Sequence, residues 1–219
     1  MDILIATKNK FKASEMIWYL EGLPDVVTHH IEELKDLVRV EEDGKTLLEN
    51  AEKKAREISL ITDWYVLASD RGVDIPGLGE KWDVLRNQRI VGEGKTDKEK
   101  VTTLMEMMAE LEGEERRTED HFALVLAKNG QVIWSGEEIV DRGFVAEEIG
   151  KEDIPLDTWM GFVWFYPQYG RRYTELSKEE MDEIKKQQES LKKKLQESIK
   201  EILEIEGCFG QIKVPLEKV

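Results

Sequence analysis

Two stretches decide how this chain is read: Asp2-Ile3-Leu4-Ile5-Ala6-Thr7-Lys8-Asn9-Lys10-Phe11-Lys12, and further on Glu41-Glu42-Asp43-Gly44-Lys45-Thr46-Leu47-Leu48-Glu49-Asn50-Ala51. The first is a short apolar strand running into a hydroxyl, an amide and three lysines at the mouth of a helix. Such a mouth suits phosphate, because backbone N–H groups and the positive end of the helix dipole point at the anion and the lysines add mobile charge. The second sets two acidic residues ahead of a Gly turn and another helix, a position from which carboxylates reach a metal ion. Together they describe a site for a metal-bound polyphosphate.

Working outward, Lys12–Leu20 reads as a helix, Gly22-Leu23-Pro24 as a turn and Val26–His30 as a second strand. Thr46–Ile58 is a helix in which Leu47, Leu48, Ala51 and Ala55 recur at helical spacing. Trp64–Ala68 is a compact apolar strand that ends at Ser69-Asp70-Arg71-Gly72, and residues 76–96 read as an irregular excursion. Lys98–Leu111 is helical, with Val101, Leu104, Met105 and Met108 as its stripe. Asn129-Gly130 between Phe122–Ala127 and Val132–Trp134 signals a hairpin, and Ile139–Val145 adds another strand. From Ser177 to Glu206 runs one long charged helix, opened by the Ser177/Glu180 capping box and stopped by Gly207. Its apolar face comprises Ile184, Leu191, Leu195, Ile199, Ile202 and Leu203. Strands alternating with helices early and a hairpin late predict a mixed α/β sheet.

At 219 residues the chain suits one large domain or two small lobes. A formal charge of −15 argues against broad binding to nucleic acid, which needs a basic face. It is compatible with a nucleotide that arrives with a divalent cation, because the acids then act as ligands. The single cysteine, Cys208, cannot form an internal disulfide and fits a reducing cytoplasm. No apolar run approaches the ~18 residues that cross a bilayer, and the short apolar N-terminus is no signal peptide. A cytoplasmic protein with neither nucleic acid nor membrane as partner is expected.

The motifs, in this order, resemble the inosine triphosphate pyrophosphatase family, the house-cleaning enzymes that hydrolyse deaminated purine nucleoside triphosphates. The family's T-G-N-x-x-K is matched by Thr7-Lys8-Asn9-Lys10-Phe11-Lys12. Its E-E-T-G-x-T-F-x-E-N-A-x-x-K-A is matched by the run from Glu41 to Ala55, including Lys54. A-D-D-S-G-L-x-V-D corresponds to Ala68-Ser69-Asp70-Arg71-Gly72-Val73-Asp74, S-x-R-x-x-G to Asn87 through Gly92, and A-E-L-x-x-E-E-K to Thr174 through Met181. The departures form a pattern. Lys8 replaces the first motif's Gly, and Ser69 replaces one Asp of the D-D pair. The base-reading G-F-G-Y-D-P falls on Asp157-Thr158-Trp159-Met160-Gly161-Phe162, and S-H-R falls on Lys185-Lys186-Gln187. The phosphate and metal half is kept, while the base-reading half is rewritten.

The resemblance implies a long twisted mixed sheet flanked by helices, in one two-lobed domain spanning residues 1–219 with a central cleft. It further implies a homodimer. By position, Glu42 and Asp70 become the metal ligands, for Mg²⁺ with Mn²⁺ as the alternative. Asp70 and Lys12 carry the catalysis, with Asp70 orienting or deprotonating the attacking water. Thr7, Lys8, Asn9, Lys12, Lys54 and Arg71 hold the substrate. The implied reaction cleaves a (deoxy)nucleoside triphosphate to monophosphate and pyrophosphate, with ITP, dITP and XTP as the first substrates to test. Two other readings stand beside it: the same chemistry on a different base, and a nucleotide-binding or scaffold protein that has lost turnover, for which Ser69 is the best support. Lys8 and Lys10 divide evenly between phosphate contact and surface charge, and Asn50 braces the loop near it. The aromatic cluster Trp159, Phe162, Trp164, Phe165, Tyr166 and Tyr169 is either core and interface or a re-formed wall for the base.

Overall fold

Ile3, Leu4 and Ile5 are all fully buried, so strand β1 (Asp2–Ile5) is covered on both faces, as a parallel strand must be. A computed structural model describes residues 1–34, 40–150 and 159–210, the last five as backbone only. In it β1 pairs in parallel with β2 (Val27–His30) and with β3 (Tyr65–Asp74). Helices α1 (Lys10–Leu20) and α2 (Leu47–Ser59) lie in the connections between these strands. Beyond β3 the sheet turns antiparallel through β4 (Arg117–Lys128), β5 (Gln131–Val145), β6 (Trp164–Tyr166) and β7 (Arg171–Arg172). Among the described residues the order is β2-β1-β3-β4-β5-β6-β7. This is the mixed α/β sheet flanked by helices that the alternation predicts.

The hairpin forms where expected, with Asn129 and Gly130 both at positive φ. Several elements run differently. β3 does not stop at Ala68: Val66 through Asp74 pair with Ala127 through Glu119, so Ser69-Asp70-Arg71-Gly72 is strand and not turn. Val132–Trp134 and Ile139–Val145 are parts of one strand, β5, which absorbs register shifts opposite Asp120/His121 and Leu126/Ala127. The 76–96 excursion holds a 3₁₀ turn (Pro76–Lys81) and a short helix, α3 (Asn87–Gly92). Helix α4 (Asp97–Met107) follows, started by a Thr96/Glu99 capping box.

The charged tail is two helices, α5 (Lys178–Lys185) and α6 (Glu189–Gly210), joined by a 3₁₀ turn at Lys186–Gln188. α6 also runs past Gly207, the expected stop. The tightened turn has a packing reason. Ile184 belongs to one buried cluster, while Leu191, Leu195 and Ile199 belong to another. An unbroken apolar stripe could not serve both. Gln188 is buried at the change, with Oε1 3.4 Å from the Tyr19 hydroxyl.

The two faces of the β1/β3/β4 region carry separate cores. Ile3, Ile5, Leu67, Phe122 and Leu124 meet α1 and α6 on one face. Leu4, Val66, Ala68, Ala123 and Val125 meet α2 on the other. A third cluster gathers α3, α4, the 159–166 segment and α5 around the far part of the sheet. Leu195 is fully buried in the first core. Leu195→Ala is expected to cost about 2–5 kcal/mol in urea denaturation. A loss well below 1 kcal/mol would mean that α6 does not close this core.

Candidate active site

The end of β1 and the middle of β3 meet at one place. β1 last pairs at Ile5↔Leu67, so Asp70, three residues further along β3, projects past the end of its parallel neighbour. This is the carboxyl edge of the parallel strands, where open α/β sheets place their ligands. Strand alternation then sorts the motif. Asp70 points to the α2 side, where it accepts from the side-chain amide of Asn50 (3.1 Å) and from the Arg71 backbone N–H (2.9 Å). Ser69 points the other way, buried with its hydroxyl 3.4 Å from the Met16 sulfur.

The second motif folds around Asn50. Thr46 caps α2 by accepting the Glu49 N–H at 3.0 Å. Asn50 is 5 % exposed and bridges two partners: its Oδ1 accepts the Gly44 N–H at 2.8 Å while its amide donates to Asp70. A Cβ at Gly44 would lie 2.7 Å from Asn50 Oδ1, which explains the glycine there. The bracing expected of Asn50 is present, and it extends to Asp70. Lys54, two turns along α2, donates to the Ser69 carbonyl (3.0 Å) and pairs with Glu42 (2.6 Å).

In the first motif, Asn9 caps α1 through the Lys12 N–H (3.0 Å), and Thr7 Oγ1 accepts the Asn9 N–H (3.2 Å). Those oxygens shape the loop, which leaves the Asn9 amide for a ligand. Lys8 and Lys10 are exposed. Lys12 is half-buried, and its ammonium pKa is lowered, chiefly by burial and then by the neighbouring Lys54 charge. Asp70 is shifted the opposite way: burial raises its carboxyl, Lys54 opposes the rise, and Glu42 adds to it. Glu42 is lowered overall, because Lys54, Lys12 and Arg89 outweigh its partial burial. Two amines and two carboxylates thus face one another at a single edge, each set strained by its own like charge.

Arg71, expected to hold substrate, borders the cavity beside Lys12 and Asp141 while its guanidinium is engaged by two carboxylates. Its Nε and Nη2 engage Asp120 at 2.6–2.9 Å, and its Nη1 engages both oxygens of Glu15 at 2.8 and 3.0 Å. Strand alternation puts it on the α1 face, away from Asp70. Lys185, on the S-H-R register, lies over the Trp18 ring at 4.4 Å and does not line the cavity described next. Asp157 and Thr158 lie outside the described residues.

A cavity of about 180 Å³ opens beside Asn9 and Lys12 and runs to Asp141, Trp159, Trp164 and Tyr166. Asn87 and Gln88 of α3 border it as well. The volume is below the ~300 Å³ usual for a whole small-molecule ligand, so it suits one end of a nucleotide with the remainder at the open edge. The aromatic cluster serves both expected roles: Trp159, Trp164 and Tyr166 are buried core residues and also walls. Sequence reading missed Glu15, Asp120 and Asp141. The available signal was Asp at inward positions of strands, where it is disfavoured by both propensity and burial.

The fold is that of an α/β protein in which two lysines and a carboxylate pair meet at one edge of the sheet. The chain belongs to the Ham1 family, whose model matches residues 3–197. It is 30% identical over 184 residues to a dITP/XTP pyrophosphatase of Geobacillus kaustophilus, covering 84% of this chain and 87% of that one. To the dITP/XTP pyrophosphatase of Geobacter sulfurreducens it is 34% identical over 137 residues, 62% of this chain and 68% of the relative. Its fold is similar to that of a HAM1 protein from Coxiella burnetii, with a TM-score of 0.75 at 24% identity over 92% of this chain and 99% of that one.

Asn50→Ala removes the acceptor of the Gly44 N–H and the donor to Asp70 together. It is expected to lower stability by about 1–3 kcal/mol in chemical denaturation. An unchanged midpoint would mean that water replaces both bonds and that the bridge does not hold the site.

Proposed function

We propose that this chain hydrolyses nucleoside triphosphates between the α and β phosphates, releasing a monophosphate and pyrophosphate. The observation that carries the reading is the edge itself: Lys12 and Lys54 crowd each other beside Asp70 and Glu42. A polyphosphate relieves the repulsion between the lysines, and a divalent cation relieves that between the acids. The relatives' names, dITP/XTP pyrophosphatase, agree with this chemistry and point to 6-oxopurine triphosphates, ITP and dITP among them.

The donor set fits Mg²⁺, with Mn²⁺ as the alternative. Glu42 and Asp70 supply hard oxygens, and one or two carboxylates suffice when phosphate oxygens and water complete the shell. Among the described residues no group of three His, Cys, Asp or Glu side chains converges, and Glu42 and Asp70 are the residues that would hold the ion. Once bound, the metal neutralises phosphate charge and polarises the phosphoryl oxygens. The chain's own groups do the remainder. Lys12 and the Asn9 amide hold the phosphates at the head of α1, and Lys54 sets Glu42. Asp70, raised by burial, orients the attacking water and takes its proton. Asn50 fixes the carboxylate that does so.

The reading as an inactive scaffold rests on Ser69, and its geometry weakens that reading. Ser69 faces Met16 on the opposite side of β3 from Asp70, so a shorter side chain there removes nothing from the Asp70 face. We carry the homodimer as part of this proposal from the family resemblance, and the cytoplasmic location from the single cysteine and the sequence's want of a long apolar run.

Asp70→Asn is expected to lower kcat by about 10²–10⁴-fold with the melting temperature retained, since the amide is a near-isostere that accepts no proton. Lys12→Ala is expected to act mainly on KM. Pyrophosphate release across a range of nucleotide concentrations, with Mg²⁺ in excess, measures both. Full activity of Asp70→Asn would remove this carboxylate from the chemistry.

A further inference from the structure

The far end of the cavity is acidic, an unusual neighbour for a phosphate site. Asp120 and Asp141 stand directly opposite each other across β4 and β5, a placement of like charges that costs stability. Arg71 neutralises only the first, and its remaining reach is spent on Glu15. Among the described residues Asp141 makes no ion pair, and the Arg71 charge acts on it without a direct contact. Its Oδ1 accepts the Arg142 backbone N–H at 2.8 Å, and its Oδ2 accepts the Tyr166 hydroxyl at 2.5 Å. Burial and the Asp120 charge together push its carboxyl up to about 7.

The hydrogen-bond inventory is one-sided. Tyr166 is fully buried and gives its single proton to Asp141, so it has no donor left for a ligand and holds the half-buried carboxylate in place. Each Asp141 oxygen keeps a second lone pair, and two carboxylate oxygens match two parallel N–H donors. Above the raised carboxyl pKa of about 7, a ligand entering this end must bring donors, and a carbonyl placed here meets a carboxylate. Phosphates at Asn9 and Lys12 direct the base to this end, between Trp159 and Trp164.

We propose that Asp141, set by Tyr166, is the specificity-determining residue of the cavity: it selects 6-oxopurines with donors at N1 and C2 and rejects a carbonyl at C2. This rests on the nucleotide reading above and refines it. The guanine-type edge, with a ring N–H beside an amine, ranks first, hypoxanthine with its one N–H second, and xanthine last. The preference departs from the XTP in the relatives' names, in the half of the motif set that this chain has rewritten.

The test is calorimetric binding of α,β-imido analogues of dGTP, dITP and dXTP to the full chain with Mg²⁺, beside turnover of the hydrolysable forms. Wild type is expected to bind the guanine analogue at least about tenfold more tightly than the xanthine analogue. Asp141→Asn, which turns one acceptor into a donor, is expected to reduce that ratio about tenfold or more. Tyr166→Phe keeps the carboxylate and is expected to keep the order, which guards against misfolding of the first variant. A wild type that ranks xanthine first, an Asp141→Asn ratio equal to wild type, or no binding of any analogue would overturn the proposal. Ordered, Asp141-dependent binding without cleavage would uphold it while refuting the pyrophosphatase reading. Cleavage with an order indifferent to Asp141 would do the reverse.

Discussion

The antiparallel pairing of β3 with β4 is the constraint on which the rest of the structure depends. Because Val66 through Asp74 stay in register with Ala127 through Glu119, the Ser69–Arg71 segment is held as strand beyond the end of β1. Alternation then sends Asp70 toward α2 and the lysines, and Ser69 and Arg71 toward α1. A turn at these residues, as their composition suggests, would have scattered the same side chains. The ladder thus builds the carboxylate edge on one face and the Arg71–Asp120–Glu15 network on the other. It also brings Asp120 against Asp141 through the next pair of strands.

The Asp70 edge and the far end of the cavity differ in their electrostatics. Near the head of α1, Lys12 and Lys54 repel each other beside Asp70 and Glu42, an arrangement that suits the proposed polyphosphate and its cation. At the other end the half-buried carboxylate of Asp141, held by Tyr166, asks for donors. A nucleotide is a molecule of that polarity, with its charge at one end and N–H groups at the other. The net charge of −15 is compatible with the proposed phosphate site, because Lys12 and Lys54 stand together at that edge.

Elements whose signal is local were legible in the sequence. β1 shows itself as an apolar run, α2 as a capped periodic segment and the hairpin as Asn129-Gly130. Asp70, Glu42, Lys12 and Lys54 come together at one edge, as their motif positions imply. What was hidden depends on partners distant in the chain. The length of β3 is set by β4, about fifty residues away. The break in the tail at Lys186–Gln188 is set by two cores that only the folded chain separates. Arg71 follows a motif position assigned to substrate, yet Glu15 and Asp120 claim its guanidinium, and neither is near it in sequence.

The central claim is cleavage between the α and β phosphates at the Asp70 edge. Anion-exchange separation of the products formed from ITP, dITP, GTP and XTP, with Mg²⁺ and after chelation, tests it most directly. The account predicts monophosphate and pyrophosphate in equal amounts, and their loss on chelation. Diphosphate with orthophosphate, or no product from folded protein across the set, would contradict it.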